Sequence, residues 1–249
     1  LRCAYLELAL HLSPGIDDEG LGVLYKASKP GLVDKEAAGQ KKAWKVLAAL
    51  CEARPSFLAA HLPDVTAQVV GPGAAMCLSA AKRYRLRCVQ PLVLALHAAA
   101  AKAGSDDDEG SSPWAALAAI LAKSGDGDDD DDDQDMPDQE PEAVRRQVMA
   151  GLVTEVVLCL KEANTKTREA AYALLVSLAH TLDRLSPGSG GGLHDMSDGE
   201  GGDDEEEDGE GQGGLHEMFL MVMAGLAATT PHMLSCTVMG LARLLFEFG

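Results

Sequence analysis

The sequence predicts an all-α fold, a solenoid of stacked helix pairs, and three observations carry that prediction. Apolar residues fill 47% of the 249 positions while aromatics fill only 4%, and Ala, Leu, Val and Met outweigh the β-branched and aromatic runs that strands need. Helix-length segments recur in pairs of roughly 35–45 residues, divided by Gly, Pro or polar turns. None of these pairs has enough apolar surface to stand alone, so each must bury its face on the next.

In chain order, residues 1–12 read as an opening amphipathic helix and residues 13–33, with their Gly, Pro and Lys, as a connection. Asp34 is placed to N-cap a helix to about Arg54, with Trp44, Leu47, Leu50 and Cys51 on one face and Lys41, Lys42 and Lys45 largely off it. Pro55 closes that helix and Ser56 caps the next. There Phe57, Leu58, Leu62, Val65 and Val69 recur at helical spacing until Gly71-Pro72-Gly73 ends it. A second pair follows: a short helix over 74–81 and a longer one over 85–103, joined at Lys82-Arg83-Tyr84, with Pro91 early in the longer helix. The third pair is 142–163 and 167–182, turning at Asn164-Thr165-Lys166. Its second helix sets Ala171, Tyr172, Leu175, Leu178, Ala179 and Leu182 on one stripe. The fourth covers 215–228 and 231–248, where Pro231 suits a first helical turn. Such pairs fit a HEAT or armadillo-type solenoid.

The chain thus divides into repeats over 1–103, an acidic insertion over 104–141 with a short docking helix near 113–122, and repeats over 142–249. An acidic Gly-rich loop at 186–214 interrupts the last of these. Each insertion leaves the second helix of one pair and enters the first helix of the next, so regular stacking would bring both out along one edge. The chain opens at Leu1 inside an amphipathic pattern and stops directly after an apolar one, so both ends read as cut from something longer.

The formal net charge of −18 misleads about the folded part. Residues 106–109, 126–140 and 195–210 hold 4, 10 and 10 of the 39 acids and no Lys or Arg; the remaining 15 acids face 21 bases, a balance of +6. Dense like charge without apolar residues cannot build a core, so the sequence predicts a mildly basic helical body with disordered acidic insertions. Ser105 and Ser197 each have an acid three residues on, which makes acid-directed phosphorylation an expectation for both. No run reaches the ~18–20 apolar residues of a membrane span.

Several chemistries lack their residues. The six cysteines, at 3, 51, 77, 88, 159 and 236, include no CxxC and no close histidine partner, so neither a disulfide framework nor a metal site is expected. Gly209, Gly211 and Gly214 match G-x-G-x-x-G, but no strand precedes them and the flanking acids would repel a pyrophosphate. The run from Asp128 to Asp133 lacks the Gly at position six that a calcium loop needs. The histidines form no HExxH, and no G-x-S-x-G elbow is present; His97 and His180 read as core-edge residues. No catalytic residue, cofactor or small-molecule substrate is expected.

What remains is basic residues at helix turns: Lys41, Lys42 and Lys45; Lys82, Arg83, Arg85 and Arg87; Arg145 and Arg146; and Lys161, Lys166 and Arg168. Aligned on one face they would track phosphates, with an affinity for RNA that falls as salt rises; taken singly, each is a solvated polar face. For Arg168, contact with a neighbouring repeat is a further expectation. The acidic tracts are then spacers, or competitors of RNA for that face, or sites for basic ribosomal proteins.

The third and fourth pairs carry a more specific likeness. Glu155-Val156-Val157-Leu158-Cys159-Leu160-Lys161-Glu162, the turn to Arg168, and Ala173-Leu174-Leu175-Val176 resemble the ribosomal RNA-processing protein 12 family. So do Met233-Leu234-Ser235-Cys236-Thr237-Val238 and Leu244-Leu245-Phe246-Glu247-Phe248. The likeness spans about residues 151–182 and 215–248. It implies a HEAT-repeat protein of the nucleus and nucleolus that associates with pre-ribosomal RNA and assembly proteins and serves subunit maturation and export, with no catalytic residues to carry over. The acidic segment between the two parts departs from the family. An importin-type nuclear transport carrier, also built of HEAT repeats, is the alternative; it would bind Ran-GTP or a localisation peptide directly.

Overall fold

The computed structural model describes residues 2–103, 113–122, 141–185 and 213–249, and among them every regular element is helical. The helices are α1 (Arg2–Leu12), α2 (Asp18–Ser28), α3 (Ala37–Ala53), α4 (Pro55–Val70), α5 (Ser79–Arg87) and α6 (Val89–Ala103). They are followed by α7 (Pro113–Ala122), α8 (Pro141–Leu158), α9 (Thr165–Leu185), α10 (Gly214–Met223) and α11 (Pro231–Phe248). The fold is the all-α helical-repeat solenoid that the pairing predicts.

Two layers of helices enclose one continuous core. In the first, α1, α3, α5 and α9 pack in succession; in the second, α2, α4, α6 and α8 do so, and α10 and α11 close the far end against α8 and α9. Trp44 and Leu47 of α3, Leu92 and Leu96 of α6, Leu152 and Val156 of α8, Leu175 and Leu178 of α9 and Leu244 of α11 all join this core. The short α7 docks on α4 and α8, with Trp114 and Leu117 buried.

The layer order departs from regular stacking. In the preceding pairs the first helix belongs to the first layer, whereas α8 lies beside α6 and α4, and its partner α9 lies beside α5. The third predicted pair therefore enters in reverse order, so the premise that would bring both insertions out along one edge does not hold. The insertions themselves, with Ser105, Ser197 and the acidic runs, lie outside the described residues.

Local corrections have local causes. The predicted connection over 13–33 contains α2, whose N-cap Asp17 accepts a hydrogen bond from Gly20 N at 2.9 Å. Its Leu21 and Tyr25 are buried, and Tyr25 stacks edge-on with Phe57 of α4 at 5.6 Å. The N-cap position of α3 falls at Glu36 and not at Asp34, whose carboxylate accepts from Glu36 N at 3.0 Å and turns the chain just before the helix starts at Ala37. Pro55 opens α4 at its first position, leaving Ser56 inside the helix. Within α4, Pro63 removes the amide that would bond Ala59, and His61 takes up the resulting kink at φ −123°, ψ 15°. The break in the second pair falls at Cys88, and Lys82, Arg83 and Tyr84 are inside α5. On α9 the predicted stripe is buried except Tyr172, which is half-buried, and His180 is exposed, against the Phe248 ring at 4.6 Å.

Two side-chain amides, Gln40 buried and Gln90 half-buried, tie neighbouring helices together. Gln40 Nε2 of α3 donates to Met76 O at 3.0 Å and its Oε1 accepts from Leu78 N at 2.7 Å, holding the segment before α5. Gln90 of α6 donates to Thr181 Oγ1 at 3.4 Å and accepts from Ser177 Oγ at 3.1 Å, both on α9.

Candidate nucleic-acid interface

The twelve basic residues separate by environment once the helices are stacked. Arg85 is 3% exposed; its guanidinium pairs with Glu155 of α8 and donates to Val69 O at 3.3 Å. Arg145, also buried, donates to Glu142 at 2.6 and 2.9 Å, reaches Glu217 of α10 at 3.4 Å, and lies 3.1 Å from His97 Nε2 of α6. These two guanidiniums join helices and are not displayed. Burial, and then the charge of Arg145, push the His97 imidazole below its usual value.

Others are engaged at the surface. Lys82 pairs with Glu162 at 2.5 Å while Ser79 Oγ donates to the same carboxylate at 2.9 Å; the hydrogen bond from Lys82 holds the Glu162 carboxyl below the usual range. Arg87 pairs with Glu52 at 2.5 and 2.8 Å, Lys42 with Glu7 at 2.7 Å, and Arg146 with Glu142 at 3.3 Å. Lys161 Nζ donates to Ser235 Oγ at 3.0 Å. Arg168 donates to Glu162 O at 3.0 Å and to Thr165 Oγ1 at 3.4 Å. Those bonds hold its own α8–α9 connection, where a contact with a neighbouring repeat was expected. Lys166 is exposed in the first turn of α9.

Lys41, Lys45 and Arg83 come together from two clusters that are far apart in sequence. α3 and α5 pack on each other more extensively than any other pair of described elements, which sets exposed Lys41 and Lys45 beside Tyr84. Arg83 lies over the Tyr84 ring at 4.7 Å and donates to its hydroxyl at 2.5 Å. Burial alone would raise the Tyr84 phenol, but the Arg83 hydrogen bond and the charges of Arg83, Lys41 and Lys45 outweigh it and bring the group below its usual value. Among the described residues no carboxylate forms an ion pair with any of these three cations. The field at this strip is therefore available to an anion from outside.

Arg83 also lines the mouth of a groove of about 1170 Å³, whose walls include Leu58 of α4, Pro91 and Leu94 of α6 and Leu174 of α9. A smaller cleft of about 850 Å³ contains Cys77, Cys159 and the Arg85–Glu155 pair. Burial pushes the Cys77 thiol up to about 11 and raises that of Cys159 as well, which keeps both as thiols at neutral pH. Among the described residues no three of His, Cys, Asp and Glu are grouped to hold a metal ion, and no helix is long and apolar enough to cross a membrane.

Sequence reasoning did not identify Tyr84, Glu155, Glu162 or Glu217 as partners of the basic residues. For Tyr84 a signal existed, an aromatic flanked by Arg83 and Arg85; for the three carboxylates there was none, since each meets its base across ~70–80 residues, a separation that only the stacking closes.

No protein-family model matches the chain. Two curated relatives match it along 99% of its length: an RRP12-like protein of Gallus gallus at 28% identity and an RRP12-like protein of Homo sapiens at 25%. The chain spans 14% of the length of each. The match runs through the first two helix pairs as well as the residues that carry the likeness in the third and fourth, so the resemblance to the ribosomal RNA-processing protein 12 family extends along the chain.

Proposed function

We propose that this chain is a non-enzymatic scaffold segment in ribosome biogenesis, contacting pre-ribosomal RNA and assembly proteins in the nucleus and nucleolus during subunit maturation and export. The observation that carries this reading is the convergence of Lys41, Lys45 and Arg83 on one strip, while Arg85 and Arg145 are spent on holding helices together. The similarity to RRP12-like proteins supports the ribosomal context. Lys166, exposed in the first turn of α9, extends the same kind of contact, and the acidic run at 195–210 competes with RNA for the strip.

Crosslinking to RNA in cells tests the reading. Ribosomal RNA precursors are expected among the crosslinks, and Lys41→Glu with Lys45→Glu should deplete them; crosslinks without ribosomal RNA would overturn the proposal. Deleting residues 195–210 is expected to tighten RNA binding at low salt, and an unchanged affinity would remove the competing role of that tract.

A further inference from the structure

Lys41 and Lys45 are one helical turn apart on α3, so their Cβ atoms are about 6 Å apart and their charges can meet consecutive phosphates of one strand. Arg83 offers something different. Its guanidinium is a planar, weakly hydrated cation, tied at one edge to the Tyr84 hydroxyl at 2.5 Å and resting over the ring beneath it at 4.7 Å. The side chain stays partly exposed, and it stands where the lysine strip meets the apolar groove. An arginine plane of this kind is a platform on which an unstacked base can lie. A duplex keeps its bases inside the stack, so it can reach the lysines but not the platform.

We propose that the strip formed by α3 and α5 is a single-stranded RNA site, in which phosphates run over Lys41 and Lys45 and one unpaired base stacks on Arg83 at the mouth of the apolar groove. This inference rests on the RNA-binding reading above and adds to it the class of RNA. Pro55 and Pro91 line the same groove as Arg83, and such apolar surface would shield a stacked base from water while giving a phosphate nothing to bind. Arg87, the other cation at the groove, is already neutralised by Glu52, so Arg83 is the residue on which stacking depends.

The test uses the whole chain, a fluorescein-labelled oligouridine strand and an RNA duplex of equal length, titrated by anisotropy over a range of salt. The single strand is expected to bind about tenfold tighter than the duplex, the order of one base stacked on a side chain. Arg83→Lys keeps the charge and loses the plane, so it should weaken the strand about tenfold while leaving the salt slope unchanged. Lys41→Gln with Lys45→Gln should flatten that slope by about 1.4. The three side chains are exposed or half-exposed, and an unchanged circular dichroism melt confirms that the variants fold. Equal binding of duplex and strand, or an Arg83→Lys chain that binds the strand like the parent, overturns the inference and leaves RNA binding standing. Failure to bind either RNA overturns the reading beneath it.

Discussion

Arg145 sits at the meeting point of three helices, and its neighbours give the fold a pH dependence. His97 is neutral in the folded chain because burial and the Arg145 charge oppose its protonation. The unfolded chain therefore takes up more protons as pH falls below the ordinary histidine value of 6.5, and stability declines through that window. The carboxylates act lower: Glu142 and Glu162, both held below 4.5 by their basic partners, contribute stability above that value and lose it as pH falls through their folded values. Urea unfolding of a His97→Gln chain should thus show a smaller loss of midpoint between neutral pH and the low sixes than the parent. Arg85→Ala tests a different residue. It strands Glu155 beside a buried cleft and is expected to cost about 3 kcal/mol, whereas Arg83→Ala, at the surface, should stay within about 1 kcal/mol; paired denaturant curves distinguish them.

At the scale of elements, close packing decides where glycine is required. A Cβ on Gly225 would stand 2.2 Å from Thr237 Oγ1 and 3.3 Å from Thr237 Cβ. Thr237 is buried and β-branched, so α11 itself must move, and Gly225→Ala should destabilise by about 1–3 kcal/mol. Gly22 is the opposite case: inside α2 a Cβ meets only His61 Nε2 at 3.5 Å, and Gly22→Ala should stabilise by about 0.5–1 kcal/mol. Thermal melts of the two variants should move in opposite directions. The same elements mark how far the sequence could be read. α3, α8, α9 and α11 were legible because long apolar stripes outvote local detail. α2 was not, because Gly20, Gly22 and the flanking Pro14 and Pro30 are turn residues by any local rule, and only burial of Leu21 and Tyr25 against other helices makes them helical. The break at Cys88 was missed for the converse reason: it is apolar, carries no turn signal, and follows a charged stretch that resembles a turn. The twelve basic residues could be found in sequence, but which of them stay free could not, since Glu155 and Glu217 reach their partners only through the stacking.

Over the whole molecule, the reversed entry of α8 and α9 changes which helices share a side. Taking the first helix of every pair as a member of the first layer would assign α8 to the layer of α3 and α5, whereas α9 occupies that place. Basic residues on α9 are therefore the ones to combine with Lys41, Lys45 and Arg83 when a longer RNA path is mapped. Adding Lys166→Glu to Lys41→Glu and Lys45→Glu is expected to weaken long single strands further while leaving short ones unaffected, as length-series titrations would show.

Gln40 and Gln90 have a consequence for how the proposed scaffold would be released from RNA. Their amides join one helix pair to the next without net charge, so neither ionic strength nor acidity in the physiological range weakens those joints. The proposed contact with RNA through lysines would be the reverse, fading steeply as counterions accumulate. A high-salt wash should therefore strip the protein from nucleic acid as a folded, reusable array that rebinds on dilution.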